Sequence, residues 1–166
     1  MPATPEPTAI RQSGDAETLR TGPVTMRLLI DAEQAHGAVS TLEVTMDRGA
    51  DGAAPHFHTL SGELFYVADG ELQLMTGDRI LTIGAGGSAV VPKTTIHAFG
   101  ATPDSGARIL IALIPGVQRF GYFRLLERIA RGEATLDELA ASQDEYDNHF
   151  VDAPRWWQER TTQRRR

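Results

Sequence analysis

The sequence predicts an all-β protein, an antiparallel barrel of short strands with two α-helices at its C-terminal end. Three observations carry this. Segments of strand character follow one another closely from Val24 to Pro115, the turns between them are rich in Gly and Asp, and the hydrophobic period becomes helical after Pro115-Gly116.

Residues 1–22 are polar and rich in Pro, Thr and Glu, the composition of a flexible arm. The barrel is expected over 23–116. "VTMRLLID" opens it, and in "AVSTLEVTM" the residues Leu42, Val44 and Met46 alternate with polar partners, as in a half-buried strand. "ELFYVAD", "ELQLMT", "RILTIG", "SAVVP", "IHAFGA" and "ARILIALIP" follow as further strands. The turns "DG", "TGD" and "GAGG" between them suit tight reversals with positive φ. A helical extension is expected over 117–150. Phe120, Phe123, Leu126 and Ile129 recur there at three-residue steps, the stripe of an amphipathic helix. "TLDE" then places Thr135 and Glu138 in a capping box, starting a second helix that runs to about Tyr146. Residues 151–166 read as a basic tail that includes Trp156 and Trp157.

A chain of 166 residues with 41% hydrophobic and 23% charged residues is one globular domain with a substantial core. Its net charge of −6 argues against nucleic acid as a partner, and the five arginines between Arg155 and Arg166 read as a solvated end. Cysteine is absent, which removes disulfides, thiolate nucleophiles and cysteine-ligated metals. No apolar run is long enough for a secretion signal or a membrane span, so no membrane partner and a cytoplasmic location are expected.

The chemistry concentrates in "PHFHTLSGELFYVADG". Residues i and i+2 of an extended chain point to one side, so His56 and His58 can aim at one point while Phe57 faces away. Glu63 follows after "TLSG", which can turn the chain back. An HxH pair alone also occurs on ordinary surfaces. His97, in "VVPKTTIHAFG", lies where a barrel could return it to the same pocket, although it could equally cap a loop. Three imidazoles and a carboxylate suit iron, nickel, manganese, cobalt or zinc. His36 reads as a solvated turn residue, and His149, beside Asp147, Asn148 and Asp152, as a solvated residue or one supporting a lid.

"HFHTLSGELFYVADG" resembles the first motif of the cupins, with His56, His58, Glu63 and Gly70 at its spacing. "GGSAVVPKTTIHAFG" resembles the second, with Gly86, Pro92 and His97. The resemblance runs from about Val39 to Pro115. Ala50, Thr94 and Ala101 depart from it at positions that serve turns and packing, and all four ligand positions are filled. It implies a jelly-roll (double-stranded β-helix) barrel that binds a divalent transition metal, iron, nickel, manganese or cobalt with zinc as a further option, through His56, His58, Glu63 and His97. Small cupins with this ligand set resemble the quercetinase-like dioxygenases. The implied activity is cleavage or oxidation of a hydrophobic phenolic or enolisable small molecule, flavonol-like, with O2, and Glu63 doubles as the catalytic proton acceptor. Two alternatives stay open: a Lewis-acid isomerase, cyclase or hydrolase, and a non-catalytic small-molecule-binding cupin. Cupins of this size often pair through edge strands or an exchanged terminal segment, so a homodimer is expected, with the arm before Val24 as the segment.

Overall fold

The computed structural model describes residues 5–165, so residues 1–4 of the expected arm and Arg166 of the expected tail lie outside the described residues. Ten strands form a sheet that curls on itself. They are β1 (Glu17–Thr21), β2 (Val24–Ile30), β3 (Ser40–Met46), β4 (Asp51–Phe57), β5 (Gly62–Thr76), β6 (Arg79–Gly84), β7 (Ser88–Val91), β8 (His97–Ala101), β9 (Ala107–Ile114) and β10 (His149–Phe150). The order is β1-β2-β3-β9-β5-β8-β4-β10, with β6 and β7 also paired to β5, and every pairing is antiparallel.

The two-residue period sets which side chains fill the barrel. Leu42, Val44 and Met46 of β3 are all buried, as their alternation requires, and pack with Leu28, Phe65, Val67, Ile109 and Ile111. "ELFYVAD" and "ELQLMT", expected as two strands, form the single strand β5, and the "DG" between them is a bend inside it. The register slips between Val67 and Asp69, and Gly70 takes φ +72°. A β-carbon there would sit 1.9 Å from the Gly106 carbonyl oxygen, so only glycine fits the bend. Its first half pairs with β7 and β9 and its second with β6 and β8, so this one strand joins the two sides of the barrel.

Four α-helices follow, where two were expected: α1 (Phe120–Ala130), α2 (Leu136–Ala141), α3 (Gln143–Tyr146) and α4 (Pro154–Arg164). The apolar stripe of α1 turns Phe120, Tyr122 and Phe123 inward. Its first amides are capped from another part of the chain, since the buried carboxylate of Asp31 accepts from the Arg119 and Phe120 N–H groups at 3.0 Å. Thr135 and Glu138 form the expected capping box, but the helix they start breaks at Ser142, and α3 ends at Asp147 in the left-handed conformation.

The terminal segments depart from expectation. Glu17–Thr21, placed in the flexible arm, is a strand paired with β2 of its own chain, and Arg124 on α1 bridges to Glu17 at 2.6 Å. Pro154–Arg164, read as tail, is helix α4. Trp156 is fully buried against Met75 and Ala98, and Arg160 beneath it donates to Asp51, Gln73 and the Ala50 and Ala101 carbonyls. A proline at the first helical position and a large aromatic two residues on explain this helix better than its overall polarity does. No helix among the described residues is long and apolar enough to cross a membrane.

Candidate metal centre

Barrel topology brings the four predicted residues together. His56 on β4 lies directly opposite His97 on β8, and the next turn of chain carries His58 to the same side. Glu63 enters from β5, between β7 and β9. All four are buried, and one potential ligand atom from each lies within 4.8 Å of the others. Phe57 points outward and stacks on His149 at 5.1 Å.

The hydrogen bonds fix the imidazole tautomers. Each Nδ1 lies against a backbone carbonyl: His56 against Ala54 at 2.7 Å, His58 against Asp147 at 2.6 Å, and His97 against Thr95 at 2.9 Å. A carbonyl only accepts, so the Nδ1 of His56 and of His97 carries the proton and the Nε2 of the neutral ring is a bare lone pair. The Nδ1 of His58 also faces Arg119 Nη1 at 3.1 Å, and its shorter contact, to the Asp147 carbonyl, assigns it the same tautomer. Yet the Nε2 atoms of His58 and His97 lie 2.9 and 2.7 Å from Glu63 Oε2, lone pair against lone pair. Such an arrangement requires a positive charge at the centre, either a proton on an imidazole or a metal ion. The donor set therefore fits a metal, and these four residues could hold one.

The electrostatics of these side chains agree. Burial, reinforced by the other two histidines, holds His56 well below the ordinary imidazole range. Burial also acts to lower His97, but the hydrogen bond and charge of Glu63 outweigh it and raise the ring's pKa. For Glu63 burial acts upward, and the hydrogen bonds from His58 and His97 reverse it, leaving the carboxyl well below its usual range.

The site opens onto a cavity of about 200 Å³, bordered by His56 and Glu63 and otherwise largely apolar. Of the apolar residues flanking the two sequence motifs, Phe99 lines it; Phe65 is core, and Tyr66 and Ile96 are exposed. Barrel residues such as Leu42, Val44, Ile111 and Leu113 form one side of the wall, and the C-terminal extension adds Arg119, Tyr122 and Phe123 at the start of α1, with Asn148 and Phe150 around β10. Burial pushes the Tyr122 hydroxyl up to about 12, so it keeps its proton at neutral pH. The Asp147 carboxylate ties this extension to the ligand loop through Thr59 and Leu60, each at 2.8 Å from backbone N–H to oxygen.

Sequence reasoning did not identify Arg119, Tyr122 or Asn148 as site residues. The only available signal was an arginine immediately before the aromatic stripe of α1, and a "DN" pair before His149. His149 itself lies outside the cavity lining, its Nε2 3.1 Å from the Asp147 carboxylate. His36 occupies a turn with φ +50° and is not part of the cluster.

Together the fold and the site define a small β-barrel protein with a buried three-histidine, one-carboxylate centre facing an apolar cavity. The chain matches the Cupin domain family over residues 42–113. Among solved structures it is similar to an RmlC-like cupin from Shewanella frigidimarina, with a TM-score of 0.56, 19% identity, and 70% of this chain covering 96% of that one. It is also similar to KdgF from Halomonas sp., with a TM-score of 0.54, 19% identity and coverage of 65% and 94%. The iron(II) form of HppE has a TM-score of 0.57 at 17% identity, over 68% of this chain and 63% of that one. At these identities the likeness is one of fold. No curated protein matches the sequence.

Proposed function

We propose that this chain is a metal-dependent cupin dioxygenase that oxidises or cleaves a compact phenolic or enolisable molecule with O2. The observation that carries the reading is the cluster of three buried imidazoles, each with Nδ1 against a backbone carbonyl, and the Glu63 carboxylate, with ligand atoms within 4.8 Å of one another at the wall of an apolar cavity. His56, His58, Glu63 and His97 would hold the ion. When bound, a redox-capable divalent metal supplies an electrophilic centre that acidifies a coordinated hydroxyl and gives O2 access to the substrate's electrons. Because both oxygen atoms enter the product, all the electrons come from the substrate and no separate reductant is needed.

The protein's own residues do the remaining work. Glu63 turns Oε2 to the imidazoles and also borders the cavity, so its carboxylate is placed to accept the proton of an entering substrate hydroxyl. The apolar walls exclude water from the reacting centre. At about 200 Å³ the cavity is below the roughly 300–1,000 Å³ common for drug-sized ligands, which favours a single-ring or branched aliphatic substrate over a full flavonol. Iron is a candidate because HppE, which shares the fold, is known in an iron(II) form.

Elemental analysis of freshly purified protein tests this, alongside the His56→Ala/His58→Ala double variant. The expected result is near-stoichiometric iron, nickel, manganese or cobalt that the variant lacks, with oxygen uptake on small phenolic or enolisable compounds. Stoichiometric zinc without oxygen uptake would replace the dioxygenase with a Lewis-acid isomerase, cyclase or hydrolase. Failure to take up any metal after reconstitution would leave a small-molecule-binding cupin.

A further inference from the structure

Arg119 is the unexplained charge of this molecule. Its side chain is 4% exposed, and no carboxylate lies within salt-bridge distance of it among the described residues. The three carboxylates in its neighbourhood are committed elsewhere. Asp31 accepts from the backbone N–H groups that open α1 and from Ser40, Asp147 accepts from Thr59 and Leu60, and Glu63 faces His58 and His97. Of the guanidinium nitrogens, Nη2 donates to Asn148 Oδ1 at 3.0 Å. Nη1 lies 3.1 Å from His58 Nδ1, but that nitrogen already donates its proton to Asp147, so the contact sets donor against donor. Nε has no partner, and neither does Asn148 Nδ2, although Asn148 is 2% exposed. The rings of Tyr122 and Phe123, 5.1 and 5.7 Å from the guanidinium carbon, attract the face of the cation but accept none of its in-plane N–H groups. Buried donors left open in this way call for an acceptor from outside the chain.

Both residues line the cavity that Glu63 and His56 border. We infer that Arg119 and Asn148 form a carboxylate-binding subsite, and that the natural ligand is a compact monocarboxylic acid. Its acid group meets these two side chains, and its apolar body lies among Leu42, Val44, Ile111, Leu113, Phe123 and Phe150. A planar carboxylate matches the fork of the guanidinium, whereas the amide oxygen of Asn148 now supplies one acceptor only. This deepens the dioxygenase reading and rests on it for the reacting oxygen: the same acid would carry the phenolic or enolisable group on the side facing Glu63.

Calorimetric titration of the full chain in metal-free form with benzoate and with benzamide, which share a shape and differ in charge, tests the subsite. Benzoate is expected to bind at least tenfold more tightly than benzamide, and Arg119→Gln to bring the two within about twofold. Because that variant removes a buried side chain, Asn148→Asp provides a second arm. It places a carboxylate on Arg119 from within the chain, so it should raise the melting temperature while removing benzoate binding. Equal binding of the two probes, no binding of either, benzoate binding that survives Asn148→Asp, or a less stable Asn148→Asp protein would each overturn the inference. The metal measurement fails separately. Charge-selective binding in a protein that takes up no metal keeps the subsite and removes the dioxygenase, and stoichiometric metal without charge selectivity does the reverse.

Discussion

Glu63 Oε2 lies 2.7 Å from His97 Nε2, so a proton held on that ring competes with a metal for the same position. Because Glu63 raises the His97 pKa above the ordinary value of about 6.5, the ring is the group that must be deprotonated before its Nε2 can bind an ion. The sign follows directly. Below the raised pKa each binding event releases a proton, so apparent affinity should climb roughly tenfold per pH unit, and above it the curve should flatten. Competition with a chelator between about pH 5.5 and 8.5, repeated in buffers of different ionisation enthalpy, measures both the slope and the proton released. An affinity that stays flat across neutral pH would mean that the ion does not displace a proton from this ring. The clustering of the four candidate residues was legible in the sequence because i, i+2 spacing on a strand directs His56 and His58 to one side and the motif spacing adds Glu63 and His97. Thr94 shows the limit of that reading. It stands where the family motif has glycine and adopts φ +66°, the conformation glycine favours, with its N–H bonded to the His58 carbonyl. Arg119 was not legible at all, since its burial is created by the extension folding over the barrel mouth and no local pattern records that.

Between elements, the strands were easier to read than the segments that hold them together. β2, β3, β6, β7, β8 and β9 lie where alternation and turn residues put them. The join within β5 was hidden because a glycine that bends a strand and a glycine that ends one look the same in sequence. Helix α4 was hidden for another reason: it is polar on most sides and buries little beyond Trp156 and Arg160, so it shows no hydrophobic stripe. That economy makes a sharp prediction. Trp156 is fully buried whereas its neighbour Trp157 is 40% exposed. Trp156→Ala should lower unfolding stability by about 3–5 kcal/mol, as expected for deleting a buried aromatic. Trp157→Ala should stay within about 0.5 kcal/mol of wild type. Urea unfolding of the two variants settles the comparison, and equal losses would mean that α4 does not pack through Trp156. A total stability of roughly 5–15 kcal/mol would make the first loss a large fraction of the whole.

Across the whole molecule, the candidate metal centre joins parts that are far apart in the chain. Its residues come from β4, the loop after it, β5 and β8, and the His58 ring is anchored through Nδ1 to the Asp147 carbonyl in the C-terminal extension. The unfolded chain cannot assemble this set, so an ion that binds only the native state stabilises it by mass action. At a free metal concentration about 100 times the dissociation constant that contribution is about 2.7 kcal/mol. For a chain of this size each kcal/mol shifts the melting temperature by roughly 2–4 °C, so chelation should lower it by on the order of 5–10 °C. The effect should not stop at the barrel. Loss of the ion frees the His58 ring, and with it the hydrogen bond that holds Asp147, so amide exchange should also quicken over 147–150, the segment that carries Asn148 and pairs Phe150 with His56. Hydrogen exchange with and without chelator distinguishes the two possibilities. Faster exchange in both the ligand loop and 147–150 is the expected outcome and makes the extension part of the centre. Faster exchange confined to the ligand loop would mean that the extension docks independently of the ion, held by the Asp147 carboxylate on Thr59 and Leu60 and by the pairing of β10 with β4.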